Sequence, residues 1–541
     1  MKIVLIEPPP VGVFGNLRSK GSFGNFKADI RWPPIDLIIL AGFIRHQGHE
    51  CFIIDGGGVH LSMEAIKTQL QKEPYDLCLF NTSTTTIYFD MEMAVLSKSV
   101  YPDVLVGTLG VHPMAEPEET LLMEENVDFC ILSEIEPPLL EIMNGTPFEK
   151  VKGLAYRSSE GILRNPSPKP LKNLDDMGIP AHDLIPVHLY RDPQVQRVPY
   201  SVTMLTRGCV CACTFCSAPL YNYYRKRSIK NVIKELKWVT EKLGIKELKF
   251  YDDGLAYDRK WLVTLCNAII EEKIDLTWNT NERAEFIDVE LACLMKKAGC
   301  YSINIGVESG SVQVLTNADK RTTHEKIIEG ANAIKSAGIN LMTYFVVGLP
   351  GETLETIEET YELAVKMDGD FATFNVVTPH PGTPLMSYLE NNGYLSHRDY
   401  TRYDQNNLPA FQYPNLSDKE IFDAATRLTR QFYLRPKMII KKLLQVRSVF
   451  QLSNLFLNFF AFLKHFVMDY KRLRPVEDEG LKARVRMREE AVMAMRRDRE
   501  MDNSKELFTW KEYKAKKKLK NEVVGQKLYT YEAPSEEIIF P

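Results

Sequence analysis

The sequence predicts an α/β protein in three parts: an open parallel sheet, a full or partial (β/α) barrel, and a helical C-terminal region. Three observations lead there. Short β-rich runs alternate with helical patterns over residues 1–145 and again over 196–415. A stretch rich in proline (Pro166, Pro168, Pro170, Pro180, Pro186) separates the two and reads as a linker over 146–195. After 416 the alternation gives way to helical and highly charged sequence. At 541 residues the chain is also too long for a single core.

In the first part, K-I-V-L-I (2–6), C-F-I-I-D (51–55), L-C-L-F-N (77–81), V-L-V-G (104–107) and F-C-I-L-S (129–133) read as strands. The segments 37–48, 63–70 and 91–98 have helical period. In an open parallel sheet, ligands bind beyond the carboxyl ends of the strands. Those ends carry Glu7-Pro8-Pro9, Asp55 to Gly58, Thr82 to Thr86, Gly107 to Gly110 and Ser133-Glu134, a polar rim of small residues. In the second part, strands are expected at 201–205, 247–251, 276–280, 302–307, 341–348 and 374–377, with helices such as 229–243 between them. A barrel built this way places its active site at the carboxyl ends of its strands.

The chain carries a net charge of −4, which favours neither a nucleic-acid nor a membrane partner. No apolar run is long enough for a membrane span, and the amino terminus lacks the pattern of a secretory signal. A cytoplasmic location follows, where clustered cysteines hold metals or do chemistry rather than form disulfides. In the third part, 450–468 is rich in Phe and Leu. The charged runs 484–488, 496–499 and 514–520 are interleaved with acidic residues and read as a solvated helical tail.

Four of ten cysteines lie in T-R-G-C-V-C-A-C-T-F-C-S (206–217), directly after the first strand of the second part. Cys209, Cys213 and Cys216 form C-x3-C-x2-C. Zinc usually asks for two separated C-x2-C pairs or a nearby H-x3-H, and neither is present. Three thiolates on a [4Fe–4S] cluster leave one iron open to a substrate or cofactor. Cys211 falls between ligands and reads as a bystander.

The loop resembles the signature of the radical SAM superfamily, supported by Thr206-Arg207-Gly208 before it and by Phe215 within it. Tyr251-Asp252-Asp253, Gly306-Val307-Glu308-Ser309-Gly310 and Gly348-Leu349-Pro350-Gly351-Glu352-Thr353 are similar to later motifs of that family and follow in the right order. The resemblance implies a TIM-type barrel whose open iron chelates S-adenosylmethionine (SAM). Reductive cleavage would then give a 5′-deoxyadenosyl radical, in oxygen-sensitive chemistry. It also implies SAM contacts from Phe215, Asp252, Gly306, Glu308 and Arg227, with a structural salt bridge as the alternative for Arg227 and Glu308. An electron donor such as flavodoxin or ferredoxin is implied as a partner.

Residues 1–145 resemble the Rossmann-like cobalamin-binding domain of the cobalamin-dependent radical SAM class, through W-P-P-I-D-L-I-I-L-A-G-F-I-R-H-Q-G-H-E (32–50), G-T-L-G-V-H-P (107–113) and E-I-E-P (134–137). Ser83, Thr84, Gly107, Gly110 and Glu134 are the implied cobalamin contacts. The D-x-H-x-x-G motif is missing, so cobalamin would bind without histidine ligation. The class implies a methyltransferase acting on an unactivated carbon or a phosphinate phosphorus of a small-molecule substrate, large and hydrophobic ones included. Two alternatives are an oxidative cyclase or rearrangement enzyme, like the anaerobic porphyrin-ring cyclases, and a non-catalytic cobalamin- or metal-binding regulator.

Overall fold

The computed structural model describes residues 1–11, 15–19, 24–25, 30–192, 194–217, 224–445 and 483–493. Strands β1 (Lys2–Glu7), β2 (Glu50–Asp55), β3 (Leu77–Asn81), β4 (Leu105–Leu109) and β5 (Phe129–Ile131) pair in parallel in the order β2-β1-β3-β4-β5. β3 is buried at every residue, as a sheet covered on both faces requires.

The sheet does not end there. β6 (Leu154–Ser158) runs antiparallel to β5, and β7 (Gly161–Arg164) antiparallel to β6. This corrects the reading of 146–195 as linker throughout. The hairpin covers an edge of β5 that would otherwise present unpaired backbone groups. Its sequence signal, two short runs around Ser159-Glu160, is masked by the prolines that follow.

The second sheet is a partial barrel. β8 (Tyr200–Thr203), β9 (Glu247–Phe250), β10 (Thr277–Glu282), β11 (Cys300–Glu308), β12 (Asn340–Val347) and β13 (Phe371–Val376) pair in parallel in chain order. Among the described residues β8 and β13 do not pair, so the barrel stays open between them. Leu248, Phe250, Trp278, Ile303, Ile305, Leu341, Phe345 and Phe374 form one core beneath the surrounding helices. Strand alternation then turns Lys249, Asn279, Asn281, Asn304, Tyr344 and Asn375 into the lumen.

Helix α1 (Ile35–His46) joins the two units. Leu37, Leu40, Ala41, Phe43 and Ile44 pack on the first sheet. Ile35, Ile38 and Ile39 pack on Tyr200 and Val202 of β8 and on Met204 just past it. A helix apolar on all sides belongs between two layers, and this one seats the carboxyl edge of the first sheet beside the barrel. Trp32, just before it, meets Tyr251 edge to face at 5.6 Å and lies 4.3 Å from the Lys249 ammonium.

The helix over 483–493 returns to the first domain. Val485 and Val492 are buried in its core. Arg484 pairs with Glu92 at 2.8 Å, and Arg488 reaches Glu92, Glu124 and the Tyr88 carbonyl. The expectation of a solvated tail is therefore corrected at 484–488: the arginines stand one helical turn apart and clamp buried carboxylates. The segment 450–468 and the runs 496–499 and 514–520 lie outside the described residues.

Candidate functional site

The cysteine loop leaves β8 and is fixed at several points. Asp252, just past β9, accepts the Leu205 N–H at 2.9 Å and both the Thr206 N–H and hydroxyl, at 2.5 and 2.7 Å. The Thr214 N–H donates to Ala318 O at 3.0 Å, and the Leu385 N–H donates to Thr214 O at 2.9 Å. The loop is thus tied to both sides of the barrel mouth. Cys209, Cys211, Cys213 and Cys216 are all free thiols and partly exposed.

Cys209 is held at about 6, well below the usual thiol range, first by the Cys211 thiol and then by the Tyr257 hydroxyl, whose oxygen lies 3.3 Å from its sulfur. The Cys211 N–H points at the same sulfur at 3.4 Å. Burial pushes Cys213 up, while the charges of Lys320 and Arg283 oppose it. A cysteine-rich loop facing the cations of Lys320 and Arg283 suits an anionic iron–sulfur cluster. Among the described residues no three potential ligands converge as those of a single metal ion would. A cubane makes no such demand, because each thiolate binds a different iron.

Glu308 closes β11 with a left-handed backbone, φ 69°. Its carboxylate accepts from Lys320 Nζ at 2.7 Å. Gly306 lies beneath that pair: a Cβ there would stand 2.3 Å from the Glu308 oxygen and 2.9 Å from the Lys320 nitrogen. Phe215 packs against the barrel core. The structure brings Phe215, Gly306 and Glu308 to the mouth together with the three cysteines. It adds Tyr257, Arg283 and Lys320, which the sequence reading missed, because N-E-R (281–283) and A-D-K (318–320) resemble ordinary strand and helix ends.

Arg227 and Asp252, both expected as SAM contacts, are engaged with groups of the protein. The Arg227 guanidinium is spent on Glu235 (2.5 Å), Asn231 (2.8 Å) and Met204 O (3.3 Å), and the residue is 1% exposed. Asp252 serves the backbone of the loop.

Below the mouth, Asp192 of the linker pairs with Lys249 at 2.5 Å, and Trp32 donates to Asp192 at 2.7 Å. Glu247 and Asn279 converge on the Tyr301 hydroxyl at 2.5 and 2.6 Å. These bonds close the lower lumen. Higher up, the Asn304 amide donates to Asn281 at 3.0 Å.

At the carboxyl edge of the first sheet, Arg18 is 2% exposed and inserted between Asp90 (2.9 Å), Thr86 (3.2 Å) and the carbonyls of Pro8 and Pro9. Burial pushes Glu7 up to about 8 against the opposing charge of Arg18. Ser83 bonds Thr85 and Thr86 at 3.2 and 2.9 Å, whereas the Thr84 hydroxyl is buried without a hydrogen-bond partner. Gly107 packs under Phe129, whose ring stands 2.3 Å from where a Cβ would be. Gly110, at φ 125°, lies against the Thr82 carbonyl. Glu134, expected as a cobalamin contact, pairs with Arg225 and Arg207. A small cleft at this edge is lined by Glu7, Arg18, Trp32, Gly57, Gly58 and Asn81, all of the first domain.

With the geometry in place, comparison with known proteins decides the family. Residues 203–364 match the model of the radical SAM superfamily. An uncharacterized methyltransferase of Pyrococcus horikoshii is 31% identical over 82% of this chain and 95% of its own length. The chain belongs to the radical SAM superfamily. The anaerobic magnesium-protoporphyrin IX monomethyl ester cyclase of Rubrivivax gelatinosus is 26% identical over 74% of each chain. Among solved structures, the cobalamin-dependent S-adenosylmethionine radical enzyme OxsB superposes with a TM-score of 0.65 at 16% identity, over 97% of this chain and 84% of its own. The two-domain fold is therefore that of a radical SAM enzyme. No described helix is long and apolar enough to cross a membrane.

The late Gly-Leu-Pro-Gly-Glu-Thr segment carries a pH prediction. Burial pushes Glu352 up to about 8, opposed only by the Gly348 and Leu349 N–H groups, and its second oxygen has no hydrogen-bond partner. The folded state thus keeps a proton that the unfolded chain releases near 4.5. That stability is complete below 4.5 and lost as pH rises toward 8, about 5 kcal/mol in all. Glu352→Gln, which mimics the protonated acid, is expected to flatten the fall in melting temperature between pH 5 and 9. An unchanged slope would refute the assignment.

Proposed function

We propose that this chain is a cobalamin-dependent radical SAM methyltransferase that methylates an unactivated carbon, or a phosphinate phosphorus, of a small molecule. The observation that carries this reading is the placement of the first sheet's carboxyl edge beside the barrel mouth, on the apolar helix α1. Cys209, Cys213 and Cys216 would hold the cluster, and Glu308 and Phe215 would border SAM. The edge suits cobalamin chemically: the Thr84 hydroxyl has no hydrogen-bond partner, and Gly57 and Gly58 put bare backbone on the cleft. When bound, these groups supply a 5′-deoxyadenosyl radical and a transferable methyl group.

The protein's own part is positioning and exclusion of water. The Asp192–Lys249 pair and the Glu247–Tyr301–Asn279 bonds seal the lower lumen. Asn281, Asn304, Tyr344 and Asn375 line the upper lumen and offer neutral hydrogen bonds to a substrate, which favours a polar or amphipathic molecule over a wholly apolar one. The reading also includes a reducing cytoplasm and a one-electron donor such as flavodoxin or ferredoxin.

The test is anaerobic reconstitution with iron, sulfide and cobalamin, followed by turnover of candidate metabolites with methyl-deuterated SAM. Transfer of the labelled methyl group, with one 5′-deoxyadenosine and one S-adenosylhomocysteine per product, is the expected result. Protein that binds no cobalamin under any condition would overturn the reading. The second reading, a cyclase or rearrangement enzyme, is favoured by the 26% identity to the magnesium-protoporphyrin cyclase. It would give product and 5′-deoxyadenosine without S-adenosylhomocysteine.

A further inference from the structure

The cysteine loop begins and ends in a two-residue antiparallel ladder, Thr206–Arg207 with Arg225–Lys226. Each of its arginines is held from the other domain. Arg207 makes a two-pronged pair with Glu136 at 2.8 Å on both arms. Arg225 makes one with Glu134, at 2.9 Å on one arm, and also donates to the Leu171 carbonyl of the linker. Glu134 further lies 3.6 Å from Arg207. All four side chains are at most 9% exposed. Glu136 opens helix α2 (Glu136–Met143), and Glu134 stands two residues before it, beyond the end of β5.

We infer that Glu134 and Glu136 are positioning residues for the cluster. Through Arg207 and Arg225 they hold both strands at the base of the cysteine loop, so the first domain sets how the three thiols, and the SAM on the open iron, are seated. Buried bidentate carboxylate–guanidinium pairs fix orientation as well as distance, which a single charge contact does not. Two such pairs, one on each strand of the ladder, leave the loop's base no rotation about either arginine. Asp252 holds the same base from the barrel side through Leu205 and Thr206, so the loop is gripped from two domains at once. The inference rests on the assignment of the cluster to Cys209, Cys213 and Cys216.

The experiment compares the reconstituted full-length protein with its Glu136→Gln, Glu134→Gln and Cys213→Ala variants. It reads iron per chain, melting temperature, the electron paramagnetic resonance spectrum of the reduced cluster with and without SAM, and 5′-deoxyadenosine per cluster. The glutamine variants are expected to keep iron but to lose the spectral change that SAM induces, and to form 5′-deoxyadenosine at least tenfold more slowly per cluster. A lowered melting temperature with an unaltered spectrum and per-cluster rate would overturn the inference, since a merely structural pair gives that outcome. So would no change at all. Should a glutamine variant fail to fold, Arg207→Lys, which keeps the charge but loses the second prong, reads the same quantities. Iron retained in Cys213→Ala overturns the cluster assignment instead, which separates the two failures.

Discussion

Cys213→Ala is expected to yield a folded protein that assembles little or no cluster and forms no detectable 5′-deoxyadenosine on reduction. On the proposed assignment the three cysteines leave no spare: losing one leaves two thiolates to hold four irons. Loss of even an outer-shell partner of a metal ligand costs roughly 10 to 100-fold, so loss of a ligand itself should exceed that. Stability should barely change, because Cys213 lies in a partly exposed loop held by other groups, the Thr214 bonds to Ala318 and Leu385 among them. The contrasting variant is Cys211→Ser. The Cys211 thiol hydrogen-bonds Cys209 and helps to hold it at about 6, and a serine hydroxyl preserves that donor. Iron content should stay at the wild-type level. Iron retained in Cys213→Ala, or lost in Cys211→Ser, would show that the ligands are misassigned.

Most of the architecture was legible in the sequence. Strands buried on both faces read as apolar runs, as four of the first sheet's five parallel strands do, and the edge strand β2 is apolar though only partly buried. The hairpin β6–β7 was not legible, because its two strands are short and stand at an edge, where pairing supplies what pattern does not. The site divides the same way. Backbone-defined features, the loop after β8 and Gly306 beneath Glu308, follow from local sequence. Long-range partners do not: nothing in T-R-G shows that Arg207 meets Glu136, 71 residues earlier in the chain.

Charge is where sequence misled most, because a charged residue reads as solvated or functional until its partner is known. Arg484 and Arg488 looked like part of a solvated tail, yet they pair with Glu92 and Glu124 of the first domain. Glu134 looked like a ligand contact and proved to face an arginine. Buried ion pairs of this kind contribute little net stability but are costly to break on one side, which makes each of them a position where geometry is enforced. Several of them lie at the junctions between the first domain, the linker and the barrel, among them Arg207–Glu136, Arg225–Glu134 and Lys249–Asp192. Those are the places where a two-domain enzyme must hold one set of groups against another.

Arg227→Ala is the sharpest test of that view, and its expected effect is on folding rather than on SAM. Glu235 is fully buried on α3 (Ile229–Glu241), on the same face as Val232, Leu236 and Val239. Burial alone would push its carboxyl up, but Arg227, His182 and Thr203 together bring its pKa down to about 2. His182 lies 3.1 Å from it, and Thr203 donates at 2.6 Å. Removing Arg227 strands a buried carboxylate, at a cost of about 3–5 kcal/mol, which corresponds to a melting temperature lower by on the order of 10 °C. The pH dependence has a definite sign. In the native protein the low value makes Glu235 stabilising above 4.5, and that contribution is lost as pH falls toward 2. In the variant the carboxyl is pushed up instead, so stability should fall as pH rises, and the gap between the two proteins should widen from pH 5 to 8. At a temperature where the variant is folded, its Michaelis constant for SAM should stay within about twofold of wild type, since uniform binding is unaffected. A tenfold rise in that constant with no loss of melting temperature would instead return Arg227 to the SAM site.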